Sequence, residues 1–433
     1  MIPSNATTAE IPESVVTQLS GYSVSEDTIV ADATREANSF YGIGSLEQLK
    51  AFRDGWNNGT ITITKVKLTA DFDLSENNWY PIGTWEYPWF GIFDGNGHTI
   101  NGLTANSTDA DHKGLYANGD SVGLGETYGF FGIVGNGDAS ISNVSFTNVS
   151  INIYDGKDVG AVIGYVPSLA KFKAANASGS DKFISTDKWT DDSGVGSHNV
   201  TISGVMVSGS VKGASHIGGL VGKVYTSGTL KIENSINRAE VSGTGSNTAG
   251  FAGYINGPSA TTFISCANYG AISNSAAGSV AGIATYASGA TIFESCKNEG
   301  TLSSASGYVG GIIACMQETN DTLTFEDCEN AGNISTTGIA AGIYAGNYGA
   351  AAFKGKIVFK GVLKNSGELA CDSTKSGDVI GQFSEKGFNS LNALSDITRI
   401  DTSELNEKIT LSFANKVNRG NDNYTISLNI ENN

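Results

Sequence analysis

The chain has 433 residues with 56 Gly but only 6 Pro, and 43 acidic against 26 basic side chains for a formal charge of −17. Hydrophobic residues at 39% and aromatics at 9% exclude global disorder, and glycine without proline excludes a collagen-like chain. The acidity, with no run of Lys or Arg, excludes nucleic acid and anionic membranes as partners and disfavours acidic polymers, because all of these need a concentrated basic footprint.

Residues 1–30 are rich in Ser, Thr, Asn and Glu and open without a charged start or an apolar core. They read as a flexible lead-in, as expected of a secreted chain whose signal has been removed. No apolar run approaches a membrane span. Residues 31–59 are expected to form an N-terminal cap. Ser45-Leu46-Glu47-Gln48 fits a capping box, and Leu46, Leu49 and Phe52 fall at helical spacing, so a helix is predicted over 45–56.

The next segment, Trp79 to Phe90, holds three of the five Trp and two of the six Pro. Trp85, Tyr87 and Trp89 could form a platform for stacking sugars, or else cover the first coils together with Trp79 and Phe90. Further on, Gly119-Asp120-Ser121-Val122-Gly123 has the spacing of a nucleophile elbow but not the strand–turn–helix context that the elbow needs.

From 60 to 383 the chain repeats. A glycine–apolar block recurs as Gly218-Gly219-Leu220-Val221-Gly222, Ala249-Gly250-Phe251-Ala252-Gly253, Ala281-Gly282-Ile283-Ala284, Gly310-Gly311-Ile312-Ile313 and Ala341-Gly342-Ile343-Tyr344, at intervals of 31, 32, 29 and 31 residues. Gly129-Phe130-Phe131-Gly132 and Gly160-Ala161-Val162-Ile163-Gly164 are earlier copies. Between these lie Cys266-Ala267-Asn268-Tyr269-Gly270, Cys296-Lys297-Asn298-Glu299-Gly300 and Cys328-Glu329-Asn330-Ala331-Gly332, with degenerate copies at Ile236-Asn237 and Asn365-Ser366-Gly367.

About three short strands per repeat, divided by Gly, Asn and Ser, leave no room for a helix. Such a unit buries its apolar face only by stacking on its neighbours. The fold class is therefore all-β: a right-handed single-stranded parallel β-helix with about 30 residues per coil, with a helical cap before it and a hairpin cap after it. Roughly ten coils at ~4.8 Å give a rod on the order of 50 Å. Cys266, Cys296 and Cys328 are expected to stack as buried thiols rather than as a disulfide or a zinc site. Asn268, Asn298, Asn330 and Asn365 are expected to stack along the axis at a corner.

The period breaks once, at 167–199. This insertion carries Trp189, a further candidate for ligand stacking, and Asp191 and Asp192, the pair that glycoside hydrolysis would require if the chain were an enzyme. Residues 384–433 are expected to form a second cap, because Ile409, Leu411 and Phe413 alternate, as do Tyr424, Ile426, Leu428 and Ile430, around a polar turn.

The glycine–apolar block and its trailing Cys-x-Asn-x-Gly motif resemble the GLUG-type repeats of bacterial surface and adhesin-like proteins, over roughly 40 to 383. The upstream pieces Leu68-Thr69-Ala70-Asp71-Phe72-Asp73-Leu74 and Phe90-Gly91-Ile92-Phe93-Asp94-Gly95-Asn96-Gly97-His98 are similar to the start of such regions. The resemblance implies a β-helix of the pectin-lyase-like kind on the cell surface or outside the cell, without a shared chemistry.

The function expected is that of a non-enzymatic, secreted or surface-bound rod that contacts glycans or host surface and matrix proteins. It would act as a monomer, with no cofactor and no metal. A polysaccharide lyase or glycoside hydrolase of pectate-lyase-like fold is the alternative, and a structural spacer is another.

Overall fold

The computed structural model describes residues 40–76, 78–107, 127–153, 156–167, 198–226, 228–316, 321–347, 355–371, 376–385, 400–406, 409–414 and 424–430. It is a parallel β-helix. One coil shows the plan: Thr229–Glu233, Ile236–Gly243, Asn247–Ala249 and Ala252–Ile255 form four successive faces, numbered here 1 to 4. Each strand pairs in parallel with its counterpart one coil on, as Thr229–Glu233 does with Ala260–Ile264. Four strands per coil replace the three expected, and face 2 splits into two pieces from Ala267 onward, because the Asn-x-Gly turn interrupts it.

Among the described residues, face 1 counts eleven stacked strands, from Tyr41–Ile43 to Ile400–Leu405, a height of roughly 48 Å at ~4.8 Å per rung. The interior of this face carries Phe263, Phe293, Phe325 and Phe359 in register, with successive ring centroids 5.1, 5.4 and 5.6 Å apart. All four are fully buried. Each is worth about 1.5–3 kcal/mol of apolar transfer, and only a strict period places like on like.

Between faces 1 and 2 the chain turns through one left-handed residue per coil: Asn143, Gly204, Asn234, Ser265, Ser295, Asp327 and Gly361 all have φ between 49° and 63°. In three coils the next residue is Cys266, Cys296 or Cys328, a buried free thiol. Each thiol donates to carbonyl oxygens at 3.4–3.5 Å, such as Phe263 O for Cys296 and Phe293 O for Cys328.

The two repeated sequence motifs are opposite sides of one contact. Asn237, Asn268, Asn298, Asn330 and Asn365 form an inward ladder in which each Nδ2 donates to the Oδ1 of the next at 2.7–2.8 Å. The same Nδ2 also donates to the carbonyl two residues on, as Asn298 does to Gly300 O at 3.0 Å. The Gly of the glycine–apolar block faces this ladder: a Cβ on Gly282 would lie 2.7 Å from Asn298 Cβ, and one on Gly311 2.7 Å from Asn330 Cβ. The Gly of Cys-x-Asn-x-Gly is fixed by stacking, since a Cβ on Gly300 would strike the carbonyl oxygen of Gly270 one coil below.

The ends are closed as the alternation suggests. Helix α1 (Leu46–Asn57) starts at Ser45, whose side chain accepts from Gln48 N–H, while Gln48 reaches back to the cap backbone. It buries Leu49, Phe52 and Trp56 against the first coils. At the far end Ile409–Ala414 and Tyr424–Ile430 form an antiparallel hairpin, with Ile409 opposite Ile430 and Phe413 opposite Ile426. Tyr424–Ile430 joins it to face 4 by pairing antiparallel with Ile380–Glu385. Ile163–Val166 lies on face 4 and Val200–Ser203 on face 1, on either side of the insertion read from the sequence, while Thr104–Ser107 lies on face 2 and Thr127–Tyr128 on face 3.

Candidate functional site

Faces 3 and 4 meet at a tight bend made possible by glycine. A Cβ on Gly222 would lie 2.6 Å from the backbone of Asp158, and one on Gly253 2.7 Å from that of His216, each one coil back. The outer side chains of the two faces therefore converge into a seam along the rod.

Face 3 contributes Asp158 and His216, which are in register in parallel strands. Face 4 contributes Tyr165, Lys223 and Tyr254, also in register, followed by Tyr286. The partners meet diagonally, face 3 of one coil against face 4 of the next. Asp158 Oδ1 lies 2.7 Å from His216 Nδ1 and 3.7 Å from Lys223 Nζ. Lys223 Nζ sits 5.1 Å from the Tyr165 ring, 5.8 Å from Tyr254 and 5.9 Å from Tyr225, within cation–π range of all three. His216 leans on Tyr254 at 4.7 Å, and Tyr254 stacks on Tyr286 at 4.6 Å with rings 3° from parallel. Asn256 Nδ2 donates to the hydroxyls of both Tyr225 and Tyr254 at 3.1 Å.

The electrostatics suit recognition better than bond breaking. Burial raises the Tyr165 phenol well above its ordinary value, and the Asp158 carboxylate adds to the effect. Burial does the same at Tyr286, helped by Tyr254. Both therefore stay protonated at neutral pH. Asp158 and His216 make the orienting half of a nucleophilic triad, but among the described residues no hydroxyl or thiol is hydrogen-bonded to His216. Cys315, further along the seam beside Ser279 Oγ at 3.6 Å, is held at about 12 by burial and is no nucleophile at neutral pH.

The aromatic loop read from the sequence lies at one end of this seam. Trp85 is 4% exposed and meets Tyr165 edge-on at 5.6 Å. Trp89 is 0% exposed and packs on Phe131 at 4.3 Å. Neither ring offers a face for stacking a sugar, because the first coils need both as cover. Tyr87 is half-buried, and its carbonyl accepts from Trp56 Nε1 at 3.2 Å and Thr84 N–H at 3.0 Å. Trp79 and Phe90 also pack inward, Trp79 stacked on Phe130 at 5.0 Å and Phe90 against Trp56 at 5.5 Å. Trp189, Asp191 and Asp192 lie outside the described residues, as does the Gly119–Gly123 stretch.

The seam itself went unread in the sequence. Its signal was the residue that trails each glycine–apolar block, Lys223, Tyr254, Tyr286 and Cys315, which keeps the period while changing chemistry.

No protein-family model matches the chain. A stretch of 215 residues is 26% identical to halomucin of Haloquadratum walsbyi, taking in 47% of this chain and 2% of halomucin, so the chain spans a small fraction of that relative's length. A candidate immunoglobulin A1 protease from Bacteroides ovatus is 19% identical, with a TM-score of 0.48 over 70% of this chain and 78% of that one.

Proposed function

We propose that the chain is the rigid rod of a secreted or cell-surface adhesin-like protein, non-enzymatic and monomeric, which engages neutral glycans or host matrix proteins. The observation that carries the reading is the seam: the part-exposed phenols of Tyr225 and Tyr254, the Asn256 amide and Lys223 on two successive rungs, each already oriented by a neighbour. Such a row offers hydrogen-bond donors and acceptors at a repeat of ~4.8 Å, suited to an extended polymer lying along the rod. The likeness of the repeats to GLUG-type sequence and the 26% identity to part of halomucin support a place outside the cell. Trp85 and Tyr87 serve this surface indirectly, by backing Tyr165 and closing the loop, and Trp189 would be a further ligand contact.

The test is a glycan and matrix-protein array probed with the purified chain. Asn256→Ala and Tyr225→Phe should each weaken the strongest interaction several-fold while thermal stability stays within a few degrees. Release of reducing or unsaturated ends from pectin, alginate or neutral glycans, abolished by Asp191→Ala with Asp192→Ala, would replace this reading with the lyase or hydrolase.

A further inference from the structure

Helix α1 and the first coil enclose a small cleft of about 40 Å³ away from the seam, lined by Lys50, Arg53, Asp73, Glu76, Asn78 and Trp79. Its two walls carry opposite charge. Lys50 and Arg53 lie three residues apart on one face of α1, whereas Asp73 ends the Phe72–Asp73 strand and Glu76 lies in the turn after it. Among the described residues, no ion pair joins the cations of one wall to the carboxylates of the other.

The cationic wall is built in place. Arg53 is only 9% exposed, and its guanidinium lies 4.7 Å over the Trp79 ring and 5.6 Å over Tyr80. The far face of Trp79 is stacked on Phe130 with rings 4° from parallel, and its Nε1 donates to Phe130 O at 3.1 Å, so the platform under the guanidinium is fixed. Arg53 Nε is taken by Asp54 Oδ1 at 2.6 Å, which leaves the terminal amino groups without a hydrogen bond to any described residue. On the other wall, Asp73 Oδ1 accepts from Ser75 N–H at 3.0 Å and from Asn101 Nδ2 at 3.3 Å. Those bonds, the Ser75 contacts foremost, hold the carboxyl below its ordinary range, so it is charged at neutral pH. With Nε held by Asp54 and the guanidinium held over Trp79, the open amino groups of Arg53 are fixed in place and suit a further anionic group, whereas the carboxylates of the other wall repel a purely anionic ligand.

We propose that this cleft binds a small zwitterion of the α-amino-acid class, its carboxylate on Arg53 and Lys50 and its ammonium on Asp73 and Glu76. A neutral ligand of this kind also avoids the repulsion that the net charge of −17 exerts on free anions.

The test is ligand-observed NMR titration of the full chain with glycine, acetate and methylammonium as separate probes. Glycine should bind, and each single-charge probe should bind at least about tenfold more weakly, the loss expected when one charged hydrogen-bond set is missing. Arg53→Gln should weaken glycine about tenfold by the same arithmetic. Lys50→Gln and Glu76→Gln, both at exposed positions, should each weaken it measurably without risk to the fold. Acetate binding as well as glycine, indifference of glycine binding to Lys50→Gln and Glu76→Gln, or no glycine binding at all would each overturn the proposal.

Discussion

Asn298 sits at the centre of the interior amide ladder, fully buried, and Asn298→Ala tests whether that ladder holds the coils together. The substitution removes three hydrogen bonds: the one accepted from Asn268 Nδ2 at 2.7 Å and those donated to Asn330 Oδ1 at 2.7 Å and to Gly300 O at 3.0 Å. Asn268 Nδ2 keeps Gly270 O, so two acceptors, Asn330 Oδ1 and Gly300 O, are left without this donor in a dry interior. At about 1–3 kcal/mol for each such group, and with a small cavity added, the cost is roughly 3–5 kcal/mol. Asn365→Ala, at the half-buried end of the ladder, should cost roughly 1–2 kcal/mol on the same basis, because solvent can replace what is lost. Both would be measured by urea denaturation followed by far-UV circular dichroism. Hydrogen exchange would report whether the loss is local, for which the Ala331 N–H, bonded to Asn298 O at 2.7 Å, is the probe. A loss at Asn298 no larger than that at Asn365 would refute the claim that the ladder is a principal tie between coils.

Two further outcomes rest on buried titratable groups. Burial holds the Cys315 thiol at about 12 and pushes Cys296 and Cys328 well up, so an unfolded chain ionises these thiols first. Their contribution to stability is complete below pH ~9 and is lost as pH rises toward 12, by up to about 1.4 kcal/mol per pH unit for each thiol. Denaturation midpoints between pH 9 and 11 should fall less steeply in Cys315→Ala than in the parent, and an unchanged slope would count against the assignment. His198 is the mirror case: burial lowers it from 6.5 to about 4, so it is neutral in the fold and its stabilising effect is present above pH ~6.5 and lost as pH falls toward 4, about 3 kcal/mol in all. His198→Leu should flatten the melting temperature between pH 6.5 and 5, and a parallel decline in parent and variant would contradict this.

The architecture was legible because stacking is a demand that every coil answers with the same residue. The Asn of Cys-x-Asn-x-Gly and the Gly of the glycine–apolar block recur because each leaves no alternative once the coils are in register. The capping box at Ser45 was legible for the same reason, since its chemistry is local. The seam was not, because Asp158, His216, Lys223 and Tyr254 touch across both a bend and a coil, and no fixed sequence spacing encodes a diagonal contact. The Trp85–Trp89 loop stayed open between two readings for a related reason: aromatic density looks alike whether it serves a ligand or closes a coil, and it is the neighbours Tyr165 and Phe131 that show Trp85 and Trp89 packed as cover.

The amide ladder also has a direction. From Asn237 to Asn365 every Nδ2 points to the next coil, and the last donates to Asp378 Oδ1 at 3.1 Å. A carboxylate only accepts, so Asp378 obliges Asn365 to present its amino group, which in turn sets Asn330, and so on back to Asn237, whose own Oδ1 takes the Ala239 N–H at 3.2 Å. Turning any one amide over would set donor against donor on one side and acceptor against acceptor on the other. Because each Nδ2 from Asn237 to Asn330 also donates to the carbonyl two residues on, an acceptor only, every rung repeats the same choice and the five amides form a single polarised row.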